Sequence, residues 1–238
     1  MEDAKELRTR NFPSFNGGKM MHVFEFDETT RLYTTRAISS DALEALEKGR
    51  LFYKIDGSNG MILKEEADEN DGIELRALQR LDTRGRPPPE HCVPLPNGLN
   101  TDSYEGHSYC YEPILADVAG KKARKRNEAM LALVQKHAAY LSSFGDVVSI
   151  EWVGKKFNKT PGVPHDVAIA IHEEQIFEEV IQRDYEGLRS FLLDRDPPIE
   201  GIIIEFRGTY WKVRADCFDR KCSFKTNTSS AKPPIYLC

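Results

Sequence analysis

The stretch Tyr53-Lys54-Ile55-Asp56-Gly57-Ser58-Asn59-Gly60 is the most informative part of this sequence. It begins as a short apolar strand, and alternation along a strand places the side chains of Lys54 and Asp56 on the same face. Gly57 then favours a turn. So short a pattern recurs by chance, and its interpretation therefore depends on what lies further along the chain.

Three later segments supply the groups that a nucleophilic lysine needs. These segments are residues 150–154, 200–204 and 211–214. A lysine amine attacks phosphorus only when it is unprotonated, and both burial and nearby positive charge disfavour its protonated form. Lys212 and Arg214 share one face of a late strand and would provide that charge. Glu200 heads a run of isoleucines, where a carboxylate is costly unless it is paired or binds a metal.

Taken in order, the four segments resemble the motifs of the covalent nucleotidyltransferases, the superfamily of RNA ligases, DNA ligases and mRNA capping enzymes. The resemblance implies that Lys54 attacks the α-phosphate of ATP and keeps AMP in a phosphoramidate bond, with Lys212 also at the catalytic centre. It assigns Glu200 to a divalent ion, Mg²⁺ or Mn²⁺, or to pairing with the nucleophile. Lys212 and Arg214 would offset charge on the α-phosphate.

The same resemblance assigns further residues to the nucleotide. Glu151 is similar to a carboxylate that accepts hydrogen bonds from the ribose hydroxyls. Arg76 and Arg80 compete for the role of an arginine that contacts phosphate or ribose. No aromatic side chain follows at residues 168–172 to stack on adenine, so Ile169 or Ile171 is expected to pack against the base. The expected nucleotide-binding set is Tyr53, Asp56, Gly57, Arg76, Arg80, Glu151, Ile171, Lys212 and Arg214.

Residues 81–88, 106–107 and 111–114 are similar to a group of small RNA ligases. This implies an ATP-dependent RNA ligase that adenylylates an RNA 5′-phosphate and joins it to a 3′-hydroxyl. A GTP-dependent mRNA guanylyltransferase is an alternative, although too few residues follow Arg214 for the OB domain expected of capping enzymes and DNA ligases. A catalytically decayed nucleotide- or RNA-binding module is another, but such a module would not need the amine of Lys54.

One strongly basic run lies at the start of a predicted helix, where positive charge opposes the helix dipole. Its residues are Lys121, Lys122, Arg124, Lys125 and Arg126. Contact with the RNA backbone is one interpretation, and a solvated helix face is the other. Elsewhere, His172 follows a predicted pocket strand, where a core or surface position is the favoured interpretation.

Composition limits the class of protein. The 238 residues are 40% hydrophobic, which suffices for a sizeable core, and we expect a single domain over residues 1–238. A net charge of −5 argues against indiscriminate coating of nucleic acid. The N-terminus lacks an apolar leader, and no apolar run reaches the ~18 residues of a membrane span. Five cysteines without a CxxC pair favour reduced thiols over a disulfide framework or a zinc site. We expect a cytoplasmic or nuclear protein.

Hydrophobic periodicity predicts an α+β fold of mainly antiparallel sheets flanked by helices, and the resemblance implies a nucleotidyltransferase (ATP-grasp-like) domain. Strands are predicted at residues 23–26, 32–35, 61–63, 73–78, 147–153, 167–171, 199–206 and 209–214, and a further strand carries Lys54. Helices are predicted between the capping residues 39–41 and Gly49, at residues 121–142 and at about 176–193, and a long loop at residues 82–108.

Overall fold

A computed structural model describes residues 20–66, 73–84, 86–92, 109–157, 163–195, 199–221 and 237–238. Within these ranges the strands form three sheets accompanied by four α-helices. Nearly all strand pairs are antiparallel; the exception is the pair formed by the first and last strands. The expected mixed α+β class is therefore confirmed.

The strands are β1 (Met21–His22), β2 (Phe24–Phe26), β3 (Tyr33–Ala37), β4 (Arg50–Lys54), β5 (Ser58–Glu66), β6 (Ile73–Asp82), β7 (Tyr109–Pro113), β8 (Val147–Val153), β9 (Ala168–Ile171), β10 (Gly201–Phe206) and β11 (Thr209–Arg214). The helices are α1 (Ser40–Lys48), α2 (Lys121–Lys136), α3 (Ala138–Leu141) and α4 (Tyr185–Leu193). Among the described residues, no helix is both long and apolar enough to span a membrane.

The first sheet has the strand order β1-β11-β10-β4. Alternation separates its two faces. One face carries Leu51, Ile202 and Val213 into a core that also contains residues of α1 and α4. On the other face, Gly201 of β10 pairs with both Lys54 of β4 and Arg214 of β11. The sheet therefore holds these two cations in one row, with a glycine between them.

The second sheet has the order β7-β6-β5-β8-β9. One of its faces packs against α2 through a core that includes Ile62, Ile150 and Trp152. Alternation places Glu151 on the opposite face, beside Asn59 of the neighbouring strand. The third sheet is the small pair β2-β3.

Residues 55–57 connect β4, the edge strand of the first sheet, to β5, the central strand of the second. The Lys-x-Asp-Gly motif therefore lies at the junction of the two sheets. Gly57 is required there, since a Cβ atom at this position would lie 2.6 Å from the Trp152 carbonyl oxygen and 2.9 Å from Val153 Cγ1. The glycine therefore allows the turn to pass close to β8.

Three predicted elements differ from the structure. The predicted helix at residues 121–142 is divided at His137 into α2 and α3. The predicted helix at residues 176–193 begins only at Tyr185, because Asp184 caps it by accepting a hydrogen bond from the Gly187 amide. The predicted loop at residues 82–108 is followed directly by the unpredicted strand β7, and residues 93–108 lie outside the described residues.

Candidate functional site

Lys54 and Glu200 form a buried ion pair on the first sheet. The Lys54 Nζ donates a hydrogen bond of 2.5 Å to Glu200 Oε2, and the two side chains are only 17% and 8% exposed. Burial raises the pKa of Glu200, although the positive charges of Lys54 and Arg214 act to lower it. The carboxylate is therefore a better proton acceptor than an exposed glutamate, and it touches the predicted nucleophile.

Arg214 lies on the other side of the same carboxylate. Its Nε is 3.7 Å from Glu200 Oε1, and its Nη2 donates to Asp216 at 2.6 Å. Gly201 allows β10 to lie close to β11, because a Cβ atom there would overlap the Val213 carbonyl oxygen. Two cations thus flank one buried acid, in the row set by the strand register.

Lys212 is also buried, at 7% exposure, on the same face of β11 as Arg214. It pairs with Ile203, which in turn pairs with Phe52 on β4. Lys212 therefore belongs to the next row of the sheet, with an isoleucine between it and β4. The structure places Lys212 on the predicted face, two positions along the strand from the row of Lys54 and Arg214.

Glu151 is supported on the second sheet by His172, which is 5% exposed. His172 Nε2 lies 3.5 Å from Glu151 Oε1, and its Nδ1 lies 2.8 Å from Ser149 Oγ. A carboxylate only accepts, so the favourable tautomer has the proton on Nε2 and leaves Nδ1 to accept from the Ser149 hydroxyl. Within the described part of the chain, the buried Glu151 Oε2 has no hydrogen-bond partner.

His172 thus has a more specific position than the sequence indicated. The favoured interpretation was a core or surface histidine, and the residue is indeed buried, but it contacts a predicted site residue. The only available signal was its place directly after β9, the strand that pairs with β8. Ser149 gave no signal of its own, except that alternation puts it on the same face as Glu151.

The structure separates the two competing arginines. Arg80 pairs with Tyr111, and the Tyr111 hydroxyl donates to Asn59 Oδ1 beside Glu151. The Arg80 guanidinium lies 4.9 Å from the Tyr109 ring centroid. Arg76 lies four positions back along β6, which is about 13 Å at the usual rise of ~3.3 Å per residue. Its Nη1 contacts Glu65 at 3.4 Å. Arg80 is therefore the arginine near Glu151.

Ile171 does not join the site. It is fully buried in the core beneath α2, on the face of the second sheet opposite Glu151. Ile169 belongs to the same core. Alternation instead gives Ala170 to the face of Glu151, with which it pairs. The interpretation of Ile171 as a contact for the base is corrected accordingly, because the period of the strand points its side chain to the wrong side.

The Tyr53 side chain also points away from the row of Lys54, as alternation requires. Its ring packs edge-on against Phe177, and its hydroxyl donates to Glu179 at 2.7 Å. Arg195 stacks on this ring, with its guanidinium 5.5 Å from the centroid. Tyr53 therefore anchors β4 on the covered face and does not contribute its side chain to the site.

The basic run of α2 lies on the other side of the second sheet. The helix uses Met130, Leu133 and Val134 to cover the core face, opposite the face that carries Glu151. Lys121, Lys122, Arg124 and Lys125 are exposed, whereas Arg126 lies half-buried over the Phe157 ring. No acidic residue occupies the first turn of the helix. These five residues do not gather around Lys54.

The carboxylates near Lys54 are suited to sharing a metal ion with a substrate. Among the described residues there is no cluster of three or more His, Cys, Asp or Glu side chains that could hold a metal by itself. Asp56 is close enough to Glu200 for its charge to raise the pKa of that carboxyl. Mg²⁺ is usually bound by one or two carboxylates together with substrate phosphates, and this pair fits such a role.

No protein-family model matches the chain, and no match is found among curated proteins.

Proposed function

We propose that the protein is an ATP-dependent RNA ligase that works through AMP bound covalently to Lys54. The observation that carries the proposal is the buried contact of 2.5 Å between the Lys54 amine and Glu200, with Arg214 on the far side of the carboxylate. A lysine held in this way at the junction of two sheets is typical of a nucleophile rather than of a solvated strand residue.

The first chemical step requires a neutral amine. The raised pKa of Glu200, caused chiefly by burial, suits it to take the proton from Lys54. The amine nitrogen then forms a bond to the α-phosphorus of ATP, while the bond from that phosphorus to the bridging oxygen breaks and pyrophosphate leaves. AMP remains on the nitrogen as a phosphoramidate. In the following steps an RNA 5′-phosphate oxygen takes the adenylate, and a 3′-hydroxyl displaces AMP.

The remaining residues bind and orient the nucleotide. Arg214 and Lys212 share the face of Lys54 and would offset the negative charge that develops at the α-phosphate. Glu151 would accept from the ribose hydroxyls, with Arg80 nearby for a phosphate or the ribose. The alternative role of Glu200 is to hold, together with Asp56, a divalent ion that neutralises charge on the phosphates.

The assignment to RNA is supported by the motif resemblance at residues 81–88 and 111–114. The exposed lysines at the start of α2 add a local basic surface to a chain of negative net charge.

The test is covalent labelling with ATP or GTP carrying a label on the α-phosphate, in the presence of Mg²⁺. We expect a label from ATP that is stable to alkali and lost in acid, as a phosphoramidate requires. Lys54→Ala and Lys54→Arg should both abolish it, since neither side chain can supply an amine nucleophile. Lys64→Ala, which removes a lysine from β5, is the matched control and should label normally.

Three results would contradict the proposal. Labelling that persists in Lys54→Ala would remove the nucleophile. Labelling from GTP alone would indicate a guanylyltransferase. Normal labelling without sealing of an RNA that carries 5′-phosphate and 3′-hydroxyl ends would leave the adenylyl transfer intact and exclude RNA joining.

A further inference from the structure

Two of the five cysteines lie against each other at the edge of the second sheet. Cys92 Sγ and Cys110 Sγ are 2.7 Å apart, although 18 positions separate the two residues in the sequence. Cys110 belongs to the edge strand β7, and Cys92 ends the described segment 86–92 that follows β6. Both are free thiols. The sequence favoured reduced thiols, and the structure brings two of them into contact.

The contact is held by groups other than the sulfur atoms. His91 Nε2 lies 3.4 Å from Glu112 Oε2, and Glu112 shares the face of Cys110 because the two residues are two positions apart on β7. Backbone hydrogen bonds from Cys92 to Pro89 and from Arg86 to Thr83 fold the segment locally. The two cysteines therefore meet because two neighbouring residues and the backbone bring them together.

The geometry requires little movement for a covalent bond. A disulfide has an S–S length of about 2.05 Å, so the sulfurs need to approach by less than ~1 Å. Cys92 is half-buried, so its side chain can rotate to make that adjustment. Cys110 is fully buried and fixed by the ladder between β6 and β7, in which it pairs with Leu81.

The two sulfurs differ in reactivity. Burial, followed by the contact with Cys92, raises the pKa of Cys110 to about 12. This thiol is therefore rarely ionised, and the more accessible Cys92 is the sulfur that meets a reagent first. A high thiol pKa also makes Cys110 a poor leaving group, so an S–S bond formed here resists reduction by attack at Cys92.

We propose that Cys92 and Cys110 are a modification site, at which a low-molecular-weight disulfide converts the pair of thiols into a reversible intramolecular disulfide. The Cys92 thiolate attacks one sulfur of the reagent and releases one thiol, which leaves a mixed disulfide on Cys92. Cys110 then attacks Cys92 Sγ, loses its proton and expels the second thiol. Two protein thiols are oxidised and one reagent disulfide is reduced to two thiols.

The bond would fix the edge strand β7 to the segment that precedes it. Cys110 lies between Tyr109, on which Arg80 stacks, and Tyr111, which donates to Asn59. The strand that supports the arginine near Glu151 is thus the strand that oxidation would tether. This inference rests on the thiol contact alone and does not depend on the proposed enzymatic activity.

The experiment uses the full chain with oxidised glutathione as the reagent. After reaction, remaining thiols are blocked with N-ethylmaleimide in acid, and the protein is cut with trypsin together with a glutamate-specific protease. Cys92 then falls in peptide 91–105 and Cys110 in peptide 106–121, because no lysine or arginine lies between them and Glu90 and Glu105 give the cleavage points. Mass spectrometry should show the two peptides joined, and separate after dithiothreitol.

Three comparisons make the result specific. Cys92→Ser and Cys110→Ser should each abolish the joined peptides, whereas Cys217→Ser, at another buried cysteine, should not. Joining should be at least about tenfold faster in the folded protein than in urea, because the proximity that folding supplies outweighs the rarer ionisation of Cys110. The oxidised protein should melt about 5–10 °C higher than the reduced one, as expected for a closed loop of this length.

The opposite outcomes overturn the inference. Glutathione retained on Cys92 without joining would show that Cys110 cannot reach it. Joining at the same rate in urea would show that the contact has no effect. A melting temperature that does not rise would exclude the tethering of β7.

Discussion

The predicted site residue Glu151 is held in place by His172, which is itself held by Ser149. Glu151 is a strand residue with a flexible side chain, and one of its oxygens is buried without a partner within the described part of the chain. His172 restricts it through the contact at the other oxygen, and Ser149 restricts His172. If Glu151 binds ribose hydroxyls, His172 is the positioning residue for that contact.

Two substitutions at His172 separate positioning from packing. The amide nitrogen of Gln can occupy the place of Nε2 beside Glu151, whereas the amide of the shorter Asn reaches only the place of Nδ1 beside Ser149. We expect His172→Asn to raise the ATP concentration for half-maximal labelling about tenfold, because a buried carboxylate loses its partner. His172→Gln should remain close to the unsubstituted protein.

The control is 2′-deoxy-ATP, which lacks one of the hydroxyls assigned to Glu151. Labelling kinetics with this substrate should change little in His172→Asn, so that the preference for ATP over the deoxynucleotide shrinks. An equal loss with both nucleotides in both variants would show that His172 acts only through packing.

Individual residues were predictable from the sequence where strand alternation alone decides their position. Lys212 and Arg214 share one face of β11 because their spacing requires it, whereas their position on the face of Lys54 depends on the pairing of both strands with β10. The sequence did not place Ile171 correctly, because alternation alone does not decide whether it shares a face of the sheet with Glu151. Its position relative to Glu151 depends on the register between β8 and β9, which pairs Ala170 with Glu151, and a single sequence does not contain that register.

Strand β5 is the central element of the second sheet, and its tightest point is Gly60. A Cβ atom there would overlap the Trp152 indole nitrogen and lie 2.6 Å from the Leu78 carbonyl oxygen. That nitrogen donates to the same carbonyl at 3.2 Å. Because Gly60 has no side chain, the Trp152 side chain can cross β5 and donate its hydrogen bond to β6. Strand glycines of this kind permit close approach rather than a turn.

Gly60→Ala should lower the free energy of unfolding by ~2–4 kcal/mol, since the new methyl group overpacks the core and displaces the indole hydrogen bond. The matched control is Gly208→Asn, in the turn between β10 and β11. Nothing lies within 4 Å of a Cβ atom at Gly208, and Asn tolerates its φ of +78°, so we expect a loss below ~1 kcal/mol. Urea denaturation measures both values, and equal losses would contradict the packing argument.

Elements were predictable where local signals suffice and uncertain where tertiary contacts decide. Helix α1 follows its signals closely, with Ser39 accepting from the Ala42 amide and Gly49 after its last turn. Residues 176–184 have helical periodicity, yet Phe177 instead donates its amide to the Leu51 carbonyl and extends the edge of the first sheet. A pairing with a strand more than a hundred positions away cannot be inferred from local periodicity.

Across the whole molecule, the candidate nucleotide site and the basic surface occupy opposite faces of the second sheet. Glu151 and Arg80 lie on one face, and α2 with its exposed lysines covers the other. Because the net charge is −5, a polyanion would have to bind a local basic surface such as this one rather than the molecule as a whole. The sequence identified the run, but its separation from Lys54 depends on which face α2 covers.

This separation predicts that RNA affinity and nucleotide chemistry can be altered independently. In the double variant Lys121→Glu and Lys122→Glu, we expect about tenfold weaker binding of single-stranded RNA, and a salt dependence reduced by ~1.4 in the log–log slope if each lysine neutralises one phosphate. Labelling by ATP should not change, because neither side chain is near Lys54. The control is Lys48→Glu with Arg189→Glu, which changes the net charge equally on exposed positions of α1 and α4. If both double variants weaken RNA binding to the same extent, the effect arises from net charge, and the surface of α2 has no specific role.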